Sequence, residues 1–124
     1  MTIAFWCILI AAVLPYFMVF VAKAGAEGFD NRRPREWYKT FEGYRQRALW
    51  AQQNSFEIFP LFAAAVIIAH LTGASQPWVD TLAITFVASR VAYAVSYIAD
   101  LSLARSLTWT LGFGCCVALF VIAA

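Results

Sequence analysis

Charge is scarce in this 124-residue chain: 13% of its residues are Asp, Glu, Lys or Arg and 63% are apolar, with a mean hydropathy of +0.71. A soluble globular domain carries about a quarter charged residues, so this composition excludes one and leaves a membrane protein. Histidine occurs once, at His70, and the three cysteines, Cys7, Cys115 and Cys116, form no CxxC pair. That withholds the ligand sets that metal sites use, and no metal is expected. Adjacent cysteines on a helix point in different directions, so no disulfide is expected between Cys115 and Cys116. His70 reads as an interfacial residue ending a span. Lys and Arg are absent from residues 1–22, and the apolar run there is longer than the core of a secretory signal, so this segment is expected to stay as a helix. No repeat or low-complexity segment occurs. Nor is there room for a separate soluble domain, since about four spans of ~20 residues and short connections use the whole chain.

What is present is a set of four apolar segments. The spans are expected at about 2–22, 44–71, 78–99 and 103–122, with Pro15 bending the first. Residues 23–43 form the one extended polar stretch, with glycines, a proline and mixed charges that mark a loop. Lys23, Arg32, Arg33, Arg35, Lys39, Arg45 and Arg47 lie in or beside it, and only Arg90 and Arg105 lie elsewhere. The positive-inside bias puts this loop in the cytoplasm and both termini on the far side. The net charge of +2 is therefore a topology signal, and no nucleic-acid partner is expected.

The second segment contains RALWAQQNSFEIFPLF, residues 47–62, in which a charge and an amide interrupt a greasy helix. Arg47, Asn54 and Glu57 fall on one helical face. A carboxylate at helix depth costs several kcal/mol unless it meets protein, water or a partner charge, so this face points into a bundle. In the third span Arg90, Tyr93 and Tyr97 recur at i, i+3 and i+7 and form a second stripe. At 1.5 Å per residue, Asn54 and Glu57 lie roughly 15 and 20 Å from the start of their span, and Arg90 roughly 14 Å from Ala99 at the same edge. Arg90 is thus expected to reach Asn54 or Glu57, with Arg47, Tyr97 and Arg105 lining a polar pocket up to the cytoplasmic side. A buried Glu57–Arg90 ion pair would account for two of these groups. Arg47, Asn54, Arg90, Tyr97 and Arg105 nevertheless offer more donors than one carboxylate can occupy, and the surplus points to an anionic ligand.

These residues resemble the MAPEG family, the membrane-associated proteins in eicosanoid and glutathione metabolism, in a bacterial-type form similar to the microsomal glutathione transferases. Asn54, Glu57 and Pro60 match its Asn-x-x-Glu-x-x-Pro pattern. Pro15, the basic first loop, Arg90-x-x-Tyr93-x-x-x-Tyr97 and Arg105-Ser106 follow in the family's order. The resemblance implies an all-α integral membrane four-helix bundle that assembles as a homotrimer, with ligand sites between subunits, as a multi-pass protein of a bacterial inner membrane. It implies glutathione as co-substrate, held by Arg47, Asn54, Glu57, Arg90, Tyr93 and Tyr97, with Arg105 as the catalytic residue facing the sulfur. A hydrophobic small-molecule substrate would arrive from the membrane lipids.

The sequence departs from the family at two places. Glutathione-using members often carry a further arginine one turn after the residue matching Arg47, and here that position is Trp50; Gln53 is likewise neutral. The expected functions are a glutathione-dependent transferase or peroxidase acting on lipophilic electrophiles or lipid hydroperoxides, or a non-catalytic lipid-binding or accessory protein of the same fold. A small transporter or channel is a third class.

Overall fold

A computed structural model describes residues 1–124. Its elements are α1 (Ile3–Lys23), α2 (Pro34–Tyr38), α3 (Gly43–Leu71), α4 (Gln76–Ile98) and α5 (Ser102–Ala123). There are no strands. All but α2 are long and apolar enough to cross a bilayer, and they pack as a four-helix bundle in which α1 lies mainly on α3 and α5 mainly on α4. The chain is an integral, multi-pass membrane protein.

The connections leave one end of the bundle basic. The α1–α3 segment and the α4–α5 turn lie at that end, together with Arg45, Arg47 and Arg105. The α3–α4 turn and both termini lie at the other. Gly73 at φ 74° turns the chain out of α3, and Asp100 at φ 61° does the same after α4. The left-handed region is open to glycine and is visited by short polar residues such as aspartate. The long polar stretch does not stay a plain loop. Trp37 in α2 donates its indole N–H to the Glu27 carbonyl at 2.8 Å and packs with Phe41, Ala22 and Ala48, which draws the segment down onto the bundle end.

Helix ends are closed by charges from neighbouring helices. At the start of α1, Thr2 Oγ1 accepts from Phe5 N at 3.2 Å, and Asp80 of α4 accepts from Ala4 N at 2.9 Å and from Gln76 Nε2 at 2.8 Å. At its other end Arg45 Nη1 donates to the Ala22 and Ala24 carbonyls. These signs complement the helix dipole, an anion at the N-terminus and a cation at the C-terminus. Asp80→Ala is expected to lower stability by ~1 kcal/mol, the usual size of a lost cap, and Asp80→Asn by less because the amide oxygen still accepts. Thermal unfolding in detergent measures the difference; equal losses would show that the charge of Asp80, and not its hydrogen bonding, stabilises the start of α1.

The core is divided along its length. The half away from the basic end is dry, built from Ala4, Cys7, Ala11, Ile58, Phe62, Ala65, Val66, Ala69, Val79, Ala83, Phe86, Cys115, Cys116 and Leu119. Its small residues bring the helix backbones close, and the cysteines are free and buried. Phe62 and Phe86 stack across α3 and α4 with ring centroids 3.8 Å apart and planes 9° apart. α5 approaches α4 closely at Gly112, where a Cβ would lie 2.7 Å from Ser89 Oγ. Above Phe86 in α4 come Ser89 and Arg90, and the polar part of the molecule begins.

Candidate functional site

Arg90 sits at the centre of the polar part and is 2% exposed. Its Nη2 donates to Asn54 Oδ1 at 2.8 Å and to Ser55 Oγ at 3.0 Å, and its guanidinium lies 4.1 Å from the Tyr93 ring centroid. The depth estimate that set Arg90 level with Asn54 agrees with this bond. The expected ion pair with Glu57 does not form: the one ion pair in the chain is Lys39–Glu36, on the surface. The reason is angular. The buried stripe of α3 runs through Ala51, Ser55, Ile58 and Phe62; at about 100° per residue Asn54 stands at its edge and Glu57 beyond it. Glu57 is accordingly uncovered by the single chain. It connects to the buried cation only through Asn54, whose Nδ2 faces Glu57 Oε2 at a long 3.5 Å. Asn54 thus takes the arginine's donor on its oxygen and presents its own amide donors at the bundle surface.

The tyrosines stand beside this relay. Tyr93 is buried and Tyr97 half-buried, and their rings meet edge to face with centroids 5.6 Å apart. Arg105, at the start of α5, lays its guanidinium 4.7 Å from the Tyr97 centroid, a cation–π contact that fixes its position and leaves it with no carboxylate partner. Two cavities open on either side of the tyrosine ridge. One, of about 340 Å³, is lined by Tyr93, Tyr97, Arg105, Ser106, Trp109 and Thr110. The other, of about 360 Å³, is lined by Trp50, Gln53, Asn54, Glu57, Tyr93 and Tyr97. Each is at the small end of ligand-site volumes.

Arg47 is not part of this surface. Its Nε and Nη2 both donate to the Ile98 carbonyl, at 3.1 and 3.0 Å, so it closes the C-terminal end of α4, as Arg45 closes that of α1. The pocket expected inside the bundle also takes a different form, because the interior beside Arg90 holds no space of ligand size and the two larger cavities face outward from the single chain. Of the expected residues the structure brings Asn54, Glu57, Tyr93, Tyr97 and Arg105 to this outer face; Arg90 lies behind it and Arg47 above it.

A model of the MAPEG family matches residues 3–124, essentially from end to end. The chain belongs to the MAPEG family. No curated protein matches it. Membership makes it a membrane protein of the family associated with glutathione and eicosanoid metabolism.

Within this MAPEG bundle three site neighbours carry no signal in the charged pattern of the sequence. Ser55 is a small polar residue next to Asn54, and only its inward position gives it a partner. Trp109 and Thr110 follow Arg105 and Ser106 by one turn, so that the four share one face of α5. That spacing could have flagged them. Trp50, where other members often carry an arginine, has its ring centroid 6.2 Å from that of Tyr97 and walls the second cavity.

Proposed function

We propose that this MAPEG protein is a glutathione-dependent transferase or peroxidase acting on lipophilic electrophiles or lipid hydroperoxides, with its site on the face that carries Tyr93, Tyr97 and Arg105. The observation that carries the reading is Arg105: a guanidinium held against Tyr97 without an anionic partner, bordering a cavity of about 340 Å³. A free thiol of pKa ≈ 8.5 is only a few per cent ionised at neutral pH, and an adjacent cation favours the thiolate, which is the nucleophile. In the transferase reaction the thiolate sulfur bonds the electrophilic carbon as the leaving group departs with its electron pair. Glu57 suits the amino group of the tripeptide, and the Asn54 amide and Tyr97 hydroxyl suit its carbonyl and carboxylate oxygens. Arg90 acts from behind by orienting Asn54. Arg47, turned to the Ile98 carbonyl, has no place in this version of the site.

Glu57, Gln53 and Trp50 lie uncovered at helix depth, and a bare carboxylate facing hydrocarbon costs several kcal/mol. A neighbouring copy closes this side in the homotrimer that the family resemblance implies. The protein is then expected to run as a trimer in mild detergent, and a mass measurement that finds only monomer would remove the intersubunit site. The basic end faces the cytoplasm on the positive-inside rule, with both termini across a bacterial inner membrane.

The second reading, a lipid-binding or accessory protein without catalysis, is favoured by one observation, the Trp50 indole in a position where an arginine would receive a carboxylate. Calorimetry of glutathione against the protein in nanodiscs separates the two. Saturable heat that is lost on Asn54→Ala supports the enzyme. No heat, with no turnover across several electrophiles and lipid hydroperoxides, leaves the lipid-binding protein.

A further inference from the structure

A small cavity lies inside the bundle, behind the proposed active face. Arg90 lines a small cavity of about 10 Å³ together with Ala11, Leu14, Ser55, Ile58, Phe59 and Phe86. One edge of its guanidinium is spoken for by Asn54 and Ser55, but Nε and Nη1 are buried and have no hydrogen-bond partner in the chain. Two of the lining residues, Ala11 and Leu14, come from α1, where residue 15 is proline and lies inside the helix, fully buried. Proline has no N–H, so the carbonyl of Ala11, four residues earlier, loses its helical donor. Ala11 is itself buried and lines the cavity. Arg90, with two unpartnered donors, and Ala11, whose carbonyl cannot receive the usual N–H from residue 15, therefore line one space, in a part of the molecule where each unsatisfied group would cost ~1–3 kcal/mol.

We infer that this cavity is a binding site for a single water molecule that accepts from Arg90 and donates to the Ala11 carbonyl. The size decides the ligand, since about 10–15 Å³ of such space admits one water and leaves none for an anion with a hydration shell. The number of partners fits as well. Buried waters make about three hydrogen bonds, and Arg90 Nε, Arg90 Nη1 and the Ala11 carbonyl supply them, with Ser55 at the rim. Ser55 is otherwise engaged with Met18 Sδ at 3.5 Å and with Arg90. The water ties α1 to α4 at the level where Pro15 interrupts the ladder of α1, and it solvates a guanidinium that the chain gives no counter-charge. The proline and the arginine become two halves of one device, although they lie 75 positions apart in the sequence. None of this depends on glutathione binding.

The test is a density map of the intact protein in nanodiscs, at a resolution that shows ordered water, with and without Pro15→Ala. The wild type should carry a peak at about 2.7–3.2 Å from both an Arg90 nitrogen and the Ala11 oxygen. In Pro15→Ala the new N–H of residue 15 takes that oxygen, and the peak should weaken or move off Ala11. A well-resolved cavity without a peak in the wild type overturns the proposal. A peak held on both partners in the variant overturns the assignment of the carbonyl made free by Pro15. Should the variant fail to fold, cross-relaxation between the Arg90 Nε–H and the water resonance in ¹⁵N-labelled wild type reads the same contact, and its absence counts against the site.

Discussion

Arg105→Leu should reduce turnover of a generic electrophile such as a chlorodinitrobenzene by roughly 10²–10³-fold, the scale of losing one preorganised electrostatic group at a reacting centre, while glutathione affinity changes far less. The charge acts on sulfur as it ionises and reacts, so its removal is felt in kcat before KM. The pH profile adds a second signature. In the wild type the cation holds the bound thiol ionised at lower pH, so the rate levels off early; in the variant the rate should keep rising toward the ordinary thiol range near 8.5. Arg105→Lys keeps a charge but loses the planar group that stacks on Tyr97, and should fall between the two. A variant with unchanged kcat and unchanged pH profile would take Arg105 out of the chemistry. Asn54→Ala, by contrast, should weaken binding first, because it removes the amide that Arg90 aims at the outer face.

The second large effect is on stability and belongs to the contact between α5 and α4. Gly112→Leu should destabilise the bundle by about 1–3 kcal/mol, the usual penalty of overpacking, an effect read directly as a fall in unfolding temperature. Even a methyl group at this position would stand 2.7 Å from Ser89 Oγ, 3.7 Å from Arg90 Cδ and 3.8 Å from Phe86 Cδ2. Ser89 is not free to yield at no cost, since its hydroxyl donates to the Phe86 carbonyl at 2.6 Å. Alanine would otherwise improve an exposed helix by ~1 kcal/mol over glycine, so Gly112→Ala sets helix propensity against the clash. The expected order is wild type above Gly112→Ala, with Ser89→Ala/Gly112→Ala recovering most of the loss because the oxygen in the way is gone. If the double variant is no better than the single one, close approach at Ser89 is not what keeps residue 112 a glycine.

Much of this molecule could be read from its residues, and the failures have a common cause. The membrane class, the all-helical bundle and the family follow from apolar runs and from the spacing of Asn54, Glu57, Arg90, Tyr93, Tyr97 and Arg105, because spacing along a helix translates directly into depth and face. The meeting of Arg90 with Asn54 was legible for that reason. The partner chosen at that depth was not. Asn54, Ser55 and Glu57 all lie within reach along the axis, and only the rotation of α3, set by the packing of Ala51, Ile58 and Phe62, decides that the first two face Arg90 and the third turns away. Arg47 fails in the same manner. Its charge marked it for a ligand, whereas the end of α4 brought the Ile98 carbonyl to it. The segment between α1 and α3 read as loop because its glycines and charges hide Trp37 and Phe41, which act only once Ala22 and Ala48 are beside them.

The stacked rings of Phe62 and Phe86 mark a boundary between a polar and an apolar half of the bundle. Polar groups reach down from the basic end as far as Arg90 in the core and Glu57 on the outer face, and below the two rings the core cluster is apolar. From Phe62 to Leu71, the end of α3, is about 14 Å of helix at 1.5 Å per residue, roughly half the ~30 Å hydrocarbon thickness. If water follows the polar groups, a resting potential falls mainly across this thinner slab, which doubles the local field. At about 2.3 kcal/mol per charge per 100 mV, leakage through it would be a standing drain on any cell that stores energy in its membrane. The two phenylalanines would in that sense be insulation, standing where the polar half of the bundle gives way to the dry one.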